Sequence, residues 1–186
     1  MKKFAILLAG VMAVCGFTGC NSDDDDDTNV WEVYRDWRDT NNRWVEEQSQ
    51  LMDADGVTPY YQRIVPSWKP NGYVLMHWFN DRSATQGNLV PMLTSTVSTK
   101  YQLFDIDGNK LDSSEGNDEG LFNTRVSGVI DGWQIALMNM HVGDTVQIVV
   151  PYQSGYGSTS TGKIQPYSAL RFNVRLADIP AYEIRP

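Results

Sequence analysis

The sequence predicts an α+β fold, and three observations predict it. Stretches rich in β-branched and aromatic residues, punctuated by Gly, Pro, Asn and Asp, run through the middle of the chain. One short amphipathic segment, Trp133 to Met140, interrupts them with helical spacing. A longer helical pattern precedes them all, between Asn29 and Met52. Several strands with few helices is the signature of a sheet packed against helices rather than of a bundle or a doubly wound sheet. With 41% hydrophobic and 20% charged residues, the 186-residue chain has the balance of a globular protein, with room for one domain and an appendage.

The first residues read as an address. Met1-Lys2-Lys3 and the apolar run from Phe4 to Phe17 have the charged and hydrophobic regions of a secretory signal, too short to make a good membrane span. Thr18-Gly19-Cys20 is similar to a bacterial lipobox, although Phe17 stands where Leu is usual. On that reading residues 1–19 are a lipoprotein signal peptide and Cys20 becomes an acylated N-terminus. Several acyl chains would then hold the protein on the outer membrane, facing the periplasm or the cell surface. A plain secreted protein with an incidental Cys20 is the alternative. Both cysteines, Cys15 and Cys20, fall in this segment, so the folded part has neither a disulfide nor a thiolate metal site. Residues 20–28 contain five consecutive aspartates, Asp23 to Asp27, which repel one another and read as an extended tether; they also resemble a signal for export to the cell surface. The net charge of −8 and the lack of any Lys/Arg cluster argue against a nucleic-acid partner.

Residues 29–56 form the helical appendage. Val30, Trp31, Tyr34, Trp37, Trp44, Val45 and Leu51 recur at spacings of three, four and seven, Thr28 or Asn29 can cap the start, Asp39 to Asn42 weaken the middle, and Asp53-Ala54-Asp55-Gly56 ends it. The stripe either packs on the neighbouring domain or mediates dimerisation or partner binding.

The main domain is expected over 57–186. Tyr60, Tyr61, Ile64 and Val65 are β-prone, and Tyr73 to Phe79 is an apolar strand in which His77 reads as a satisfied core or edge residue. With only His141 for company, a histidine-based metal or catalytic site is not expected. Leu89 to Leu103 predicts a long strand region, and Asp107-Gly108 predicts a hairpin turn rather than a calcium loop. Ser113 to Gly120 reads as a polar excursion. Val129-Ile130-Asp131-Gly132-Trp133 then hands a strand end to the short helix, Val142-Gly143-Asp144 turns into the apolar strand up to Val150, and Tyr156 stands between two glycines. An indole at the strand-to-helix junction is placed to floor a pocket.

These motifs carry a resemblance. Tyr101, the hairpin at Asp107-Gly108, Leu111-Asp112-Ser113-Ser114, Val129 to Trp133, Met140 to Asp144, Val150-Pro151 with Gly155-Tyr156-Gly157, and Ile164-Gln165-Pro166 through Leu170 to Val174 follow the order and near spacing of the FKBP-type peptidyl-prolyl isomerase domain over about eighty residues. The resemblance implies an antiparallel sheet curved around the one short helix, and X-Pro isomerisation in exported polypeptides without cofactor or metal. It implies catalytic roles for Tyr101, Asp112, Trp133, Tyr156 and Phe172, and a substrate lining of Leu111, Val129, Ile130 and Ile164. Trp133 would lie under the proline ring, Tyr101 and Phe172 beside it. The Tyr156 hydroxyl and Ile130 N–H would donate to substrate carbonyls, and Asp112 would orient Tyr101 or polarise the pocket edge. Proline-containing chains and macrolide-type ligands are the implied partners. Leu111 replaces a usual Phe, Gly128 a longer polar side chain and Lys163 an apolar residue; the 158–163 loop is altered, and Phe122 has no clear place in the pattern. The alternative is a domain that binds proline segments, or acts as a chaperone, without useful turnover.

Overall fold

The computed structural model describes residues 29–182. The signal peptide, the acylated Cys20 and the acidic tether expected before them lie outside the described residues.

Two helices open the described chain. α1, Val30–Val33, is capped by the Asn29 side chain, which accepts the Trp31 N–H at 3.1 Å, and α2 runs from Arg35 to Ser49. The break falls at Tyr34, not at Asp39 to Asn42 as expected. Those residues stay helical because Asn41 is used in packing: fully buried, it donates to the Trp37 carbonyl and accepts the Ala169 N–H, each at 2.8 Å. Its amide satisfies the N–H just before β7, which the helix would otherwise cover and isolate from water.

Seven strands follow: β1 (Gln62–Ile64), β2 (Val74–Trp78), β3 (Thr96–Phe104), β4 (Lys110–Ser113), β5 (Phe122–Arg125), β6 (Thr145–Val150) and β7 (Leu170–Ala181). They form one antiparallel sheet in the order β1-β2-β6-β7-β3-β4, with β5 pairing the first half of β3 where β4 pairs the second. The long strand expected from Leu89 begins only at Thr96; Leu89, Met92 and Leu93 lie exposed in the preceding loop. The β3–β4 hairpin turns at Asp107-Gly108 as expected. The Asp105 carboxylate accepts the Asp107 and Asn109 N–H groups at 3.0 and 2.8 Å and so holds the turn. The polar excursion after β4 is wound into two 3-10 turns, 114–116 and 118–120.

α3, Asp131–Leu137, packs on the inner face of the sheet, starting two residues before and ending three before the expected span. It stops because the following N–H groups turn back within the last turn, Asn139 to Ala136 and Met140 to Leu137. Strand alternation sorts the core. Val146, Ile148 and Val150 of β6 face α3 with Val74 and Met76 of β2 and Leu170, Phe172, Val174 and Leu176 of β7, while Leu75 and Val149 point outward. There they meet Val45 of α2, Tyr61 and Ala169, so the sheet is covered on both faces at that end. Gly132 is required by contact, since a Cβ there would land on both methyl groups of Val150.

His77 points outward, stacked on Tyr60 with centroids 3.8 Å apart and its Nδ1 2.7 Å from the Tyr60 carbonyl. Among the described residues, no group of three or more His, Cys, Asp or Glu is placed to hold a metal ion.

A candidate aromatic cleft

Between the sheet's inner face and the start of α3 lies a cleft lined by Tyr101, Leu103, Asp112, Phe122, Val129, Ile130, Trp133, Tyr156 and Phe172. Its space, open mouth included, measures about 370 Å³. Strand period places the walls. Tyr101 and Leu103 are two apart on β3, and Phe172 faces Leu103 in the β3–β7 register. Trp133 sits one turn into α3, only 4% exposed, and forms the floor. Three of the other four rings stand nearly perpendicular to its indole: Tyr101 at 5.3 Å and 87°, Phe172 at 5.5 Å and 82°, Phe122 at 6.2 Å and 88°. Such edge-on contacts bring the positive rim of one ring to the negative face of another, which fixes each ring's tilt as well as its place.

Polar groups are few. The Tyr101 hydroxyl donates to Asp112 Oδ2 at 2.6 Å, and Asp112 Oδ1 accepts the Ser113 N–H at 2.8 Å, so both carboxylate oxygens are engaged. Tyr101 is itself held from behind by Ser114, whose buried hydroxyl accepts the Tyr101 N–H at 3.0 Å. Burial, then the hydrogen bond to Asp112 and its charge, push the Tyr101 hydroxyl well above the usual tyrosine range. Burial, then the Asp112 charge, raise Tyr156 as well. Both phenols therefore keep their protons through neutral pH. Among the described residues no hydrogen bond engages the Tyr156 hydroxyl or the Ile130 N–H. The cleft thus pairs an apolar box with two unspent donors.

Of the nine residues expected here, seven come together: Tyr101, Asp112, Trp133, Tyr156, Phe172, Val129 and Ile130. Leu111 and Ile164 do not line the cleft. The β3–β4 register skips Leu111, passing from Leu103 opposite Asp112 to Phe104 opposite Lys110, and this bulge turns Asp112 toward the cleft and leaves Leu111 half-buried against the core. Ile164, 8% exposed, is drawn into the core by a tight turn bridging Thr161. Two liners were missed. Leu103 shares a strand face with Tyr101, a period-two signal present in the sequence. Phe122 supplies the aromatic wall that Leu111 was expected to lack, and only the β3–β5 pairing of Thr99 with Phe122 brings it there.

Comparison with known proteins bears on the same stretch. Residues 88–177 match the family described as FKBP-type peptidyl-prolyl cis-trans isomerase. The chain is 36% identical over 89 residues to the FKBP-type peptidyl-prolyl cis-trans isomerase FkpA of Escherichia coli K12, covering 48% of this chain and 33% of FkpA. It is 29% identical over 181 residues to the macrophage infectivity potentiator of Trypanosoma cruzi, covering 96% of this chain and 83% of that protein. The crystal structure of E. coli FkpA superposes with a TM-score of 0.66 at 20% identity, over 84% of this chain and 65% of FkpA, a likeness of fold. The chain therefore spans about a third of the length of the first of these relatives. The segment that builds the cleft is thus the one similar to the FKBP-type peptidyl-prolyl cis-trans isomerase family.

Proposed function

We propose that this protein catalyses cis-trans rotation about X-Pro bonds in exported polypeptides, using the Trp133 cleft. One observation carries the reading: the only carboxylate in the cleft is hydrogen-bonded on both oxygens, while two donors and an aromatic box are left free. That arrangement suits a reaction in which no proton or electron moves. The barrier of about 18–20 kcal/mol comes from amide resonance. The planar, charge-separated ground state is favoured by water around the amide, and an apolar seat removes that water. Trp133 carries the proline ring, Phe122, Tyr101 and Phe172 confine it, and the Ile130 N–H and Tyr156 hydroxyl hold the carbonyls on either side. Asp112 fixes the Tyr101 ring and spends its hydroxyl, leaving Tyr156 as the donor. Macrolide-type ligands would occupy the same seat.

The test is a protease-coupled proline-peptide assay on the chain from residue 28. Tyr156→Phe should lower kcat/KM roughly fivefold, the worth of one neutral hydrogen bond of about 1 kcal/mol. Trp133→Ala should abolish measurable turnover. A wild-type rate equal to the uncatalysed one, with both variants indistinguishable from it, refutes the proposal.

A second reading rests on the exposed apolar side chains of α1, Val30 at 45%, Trp31 at 45% and Val33 at 62% exposure. They would engage a second copy or a client chain, with catalysis secondary. Client holding that survives Trp133→Ala and fails with Trp31→Ser and Val33→Ser favours this reading.

Cys20 is proposed as the lipidation site on the strength of the sequence from Met1 to Cys20. The anchored protein would face the periplasm or the cell surface from the outer membrane. Cys20→Ala should release it from the membrane fraction, and protease treatment of intact cells should distinguish the two faces.

A further inference from the structure

The two free donors of the cleft sit on segments that residues upstream of 88–177 hold in place. Between β1 and β2 the chain makes tight turns, the Lys69 N–H donating to the Pro66 carbonyl at 3.2 Å and the Gly72 N–H to the Lys69 carbonyl at 2.9 Å. The Lys69 ammonium pairs with the carboxylate of Asp131, the first residue of α3 and the covalent neighbour of Ile130. Gly72 leaves the space in which the lysine stem runs: a Cβ there would stand 3.1 Å from both Lys69 Cγ and Cδ. Next, the Tyr73 N–H donates at 3.2 Å to the buried hydroxyl of Ser154, two residues before Tyr156. One strap therefore ties both donor-bearing segments.

The tie at Asp131 matters because α3 has no side-chain cap. Ile130 occupies the capping position and offers no oxygen, so the usual anchor of a helix start is missing. An acidic group in the first turn is favoured by the helix dipole. Left unpartnered, it would restrain the preceding peptide less.

We propose that Lys69 is a positioning residue for the proline cleft: by holding Asp131 it fixes the Ile130 N–H where a substrate carbonyl meets it. The proposal rests on the isomerase reading for its consequence, but not for its test. In the chain from residue 28, Lys69→Met keeps the stem and Lys69→Arg keeps the charge. The readouts are the Ile130 amide resonance, the dissociation constant of a Leu-Pro tetrapeptide by NMR titration, and kcat and KM for the same peptide.

Lys69→Met should move the Ile130 resonance and weaken binding and KM about threefold, the scale of a partly exposed ion pair, with kcat nearly unchanged. Lys69→Arg should behave as wild type, and roughly 1 M salt, where the screening length is about 3 Å, should bring wild type toward Lys69→Met. An unmoved Ile130 resonance with unchanged affinity overturns the proposal, as does Lys69→Arg impaired like Lys69→Met. If wild type binds the peptide without turnover, the isomerase reading falls while resonance and affinity still decide the role of Lys69. If wild type neither binds nor turns over, both fall.

Discussion

Tyr101 and Tyr156 carry the same hydroxyl into the same cleft, and their partners give them different work. Tyr101 is committed to Asp112 at 2.6 Å, whereas Tyr156 is uncommitted. Replacing Tyr101 by Phe should therefore cost stability, about 1.5–3 kcal/mol for a lost hydrogen bond to a charged group, with a smaller loss of turnover than Tyr156→Phe. Thermal melting beside the coupled assay separates the two effects. Both phenols are shifted upward, so the protonated donor persists and kcat/KM should stay flat from neutral pH to about pH 9 in an uncoupled assay. A fall centred near neutrality would show that another group controls the rate. At this scale most of the site was legible, because Tyr101, Asp112, Trp133, Tyr156 and Phe172 stand in motifs whose spacing survives. Leu111 was misplaced since a one-residue bulge is invisible in spacing, and Phe122 was left out since its place depends on a strand pairing across the polar excursion.

Among the elements, α2 shows what periodicity can and cannot locate. The stripe was expected either to pack on the neighbouring domain or to mediate dimerisation; Val45 and Trp44 do pack against Tyr61, Leu75, Val149 and Ala169, but Arg38 and Asn41, which lay outside the stripe, are buried beside Val45. Arg38 lies over the Trp31 ring, 3.4 Å from its centroid, and donates to the Trp31 carbonyl at 2.9 Å, so a cation is buried by its own helix pair. Trp37 spends its indole N–H on the Ser168 hydroxyl at 3.1 Å. A polar residue read as a helix-weakener is in fact the anchor, because the Ala169 N–H leading into β7 needs a partner beneath α2, a need that sequence alone cannot locate. Asn41→Ala should destabilise by about 1–3 kcal/mol, leaving the Ala169 N–H buried and unpaired. For a chain this size that lowers Tm by roughly 2–4 °C per kcal/mol, measured by calorimetry, and isomerase activity should stay within about twofold.

Two buried polar groups beside β6, Asp144 before its start and Tyr61 bonded to Gln147 within it, set the molecule's limits in acid and in alkali. Asp144 is fully buried; burial opposes its ionisation most, but hydrogen bonds from Thr85, the His141 N–H and Asn80, with the nearby His141 ring, outweigh it and hold the carboxyl below its ordinary value. Its contribution is present above the ordinary carboxylate range and is lost as pH falls through the lowered native value. Farther along the same strand, burial foremost, then the neighbouring Tyr60, pushes Tyr61 up to about 12, against the Arg171 charge. Unfolded tyrosine loses its proton near 10, so the stabilisation is present below that pH and disappears as pH rises from about 10 to about 12. Melting temperature measured between pH 9 and 12 should decline, and Tyr61→Phe should flatten the decline; an unchanged slope would assign it elsewhere. Seen as a whole, the curved sheet around α3 was readable from strand alternation and one helical segment, while the closure of its outer face by α2 depended on long-range contacts.

The sheet ends on β1, three residues long, and on β4 and β5, four residues each, with β4 bulged. Unfolded chains join sheets by adding a strand, and edges this short and irregular give them little ladder to extend. If the protein meets unfolded polypeptides as proposed, such edges would guard it against becoming their template: it could take hold of one proline ring at a time and still not be built into an aggregate.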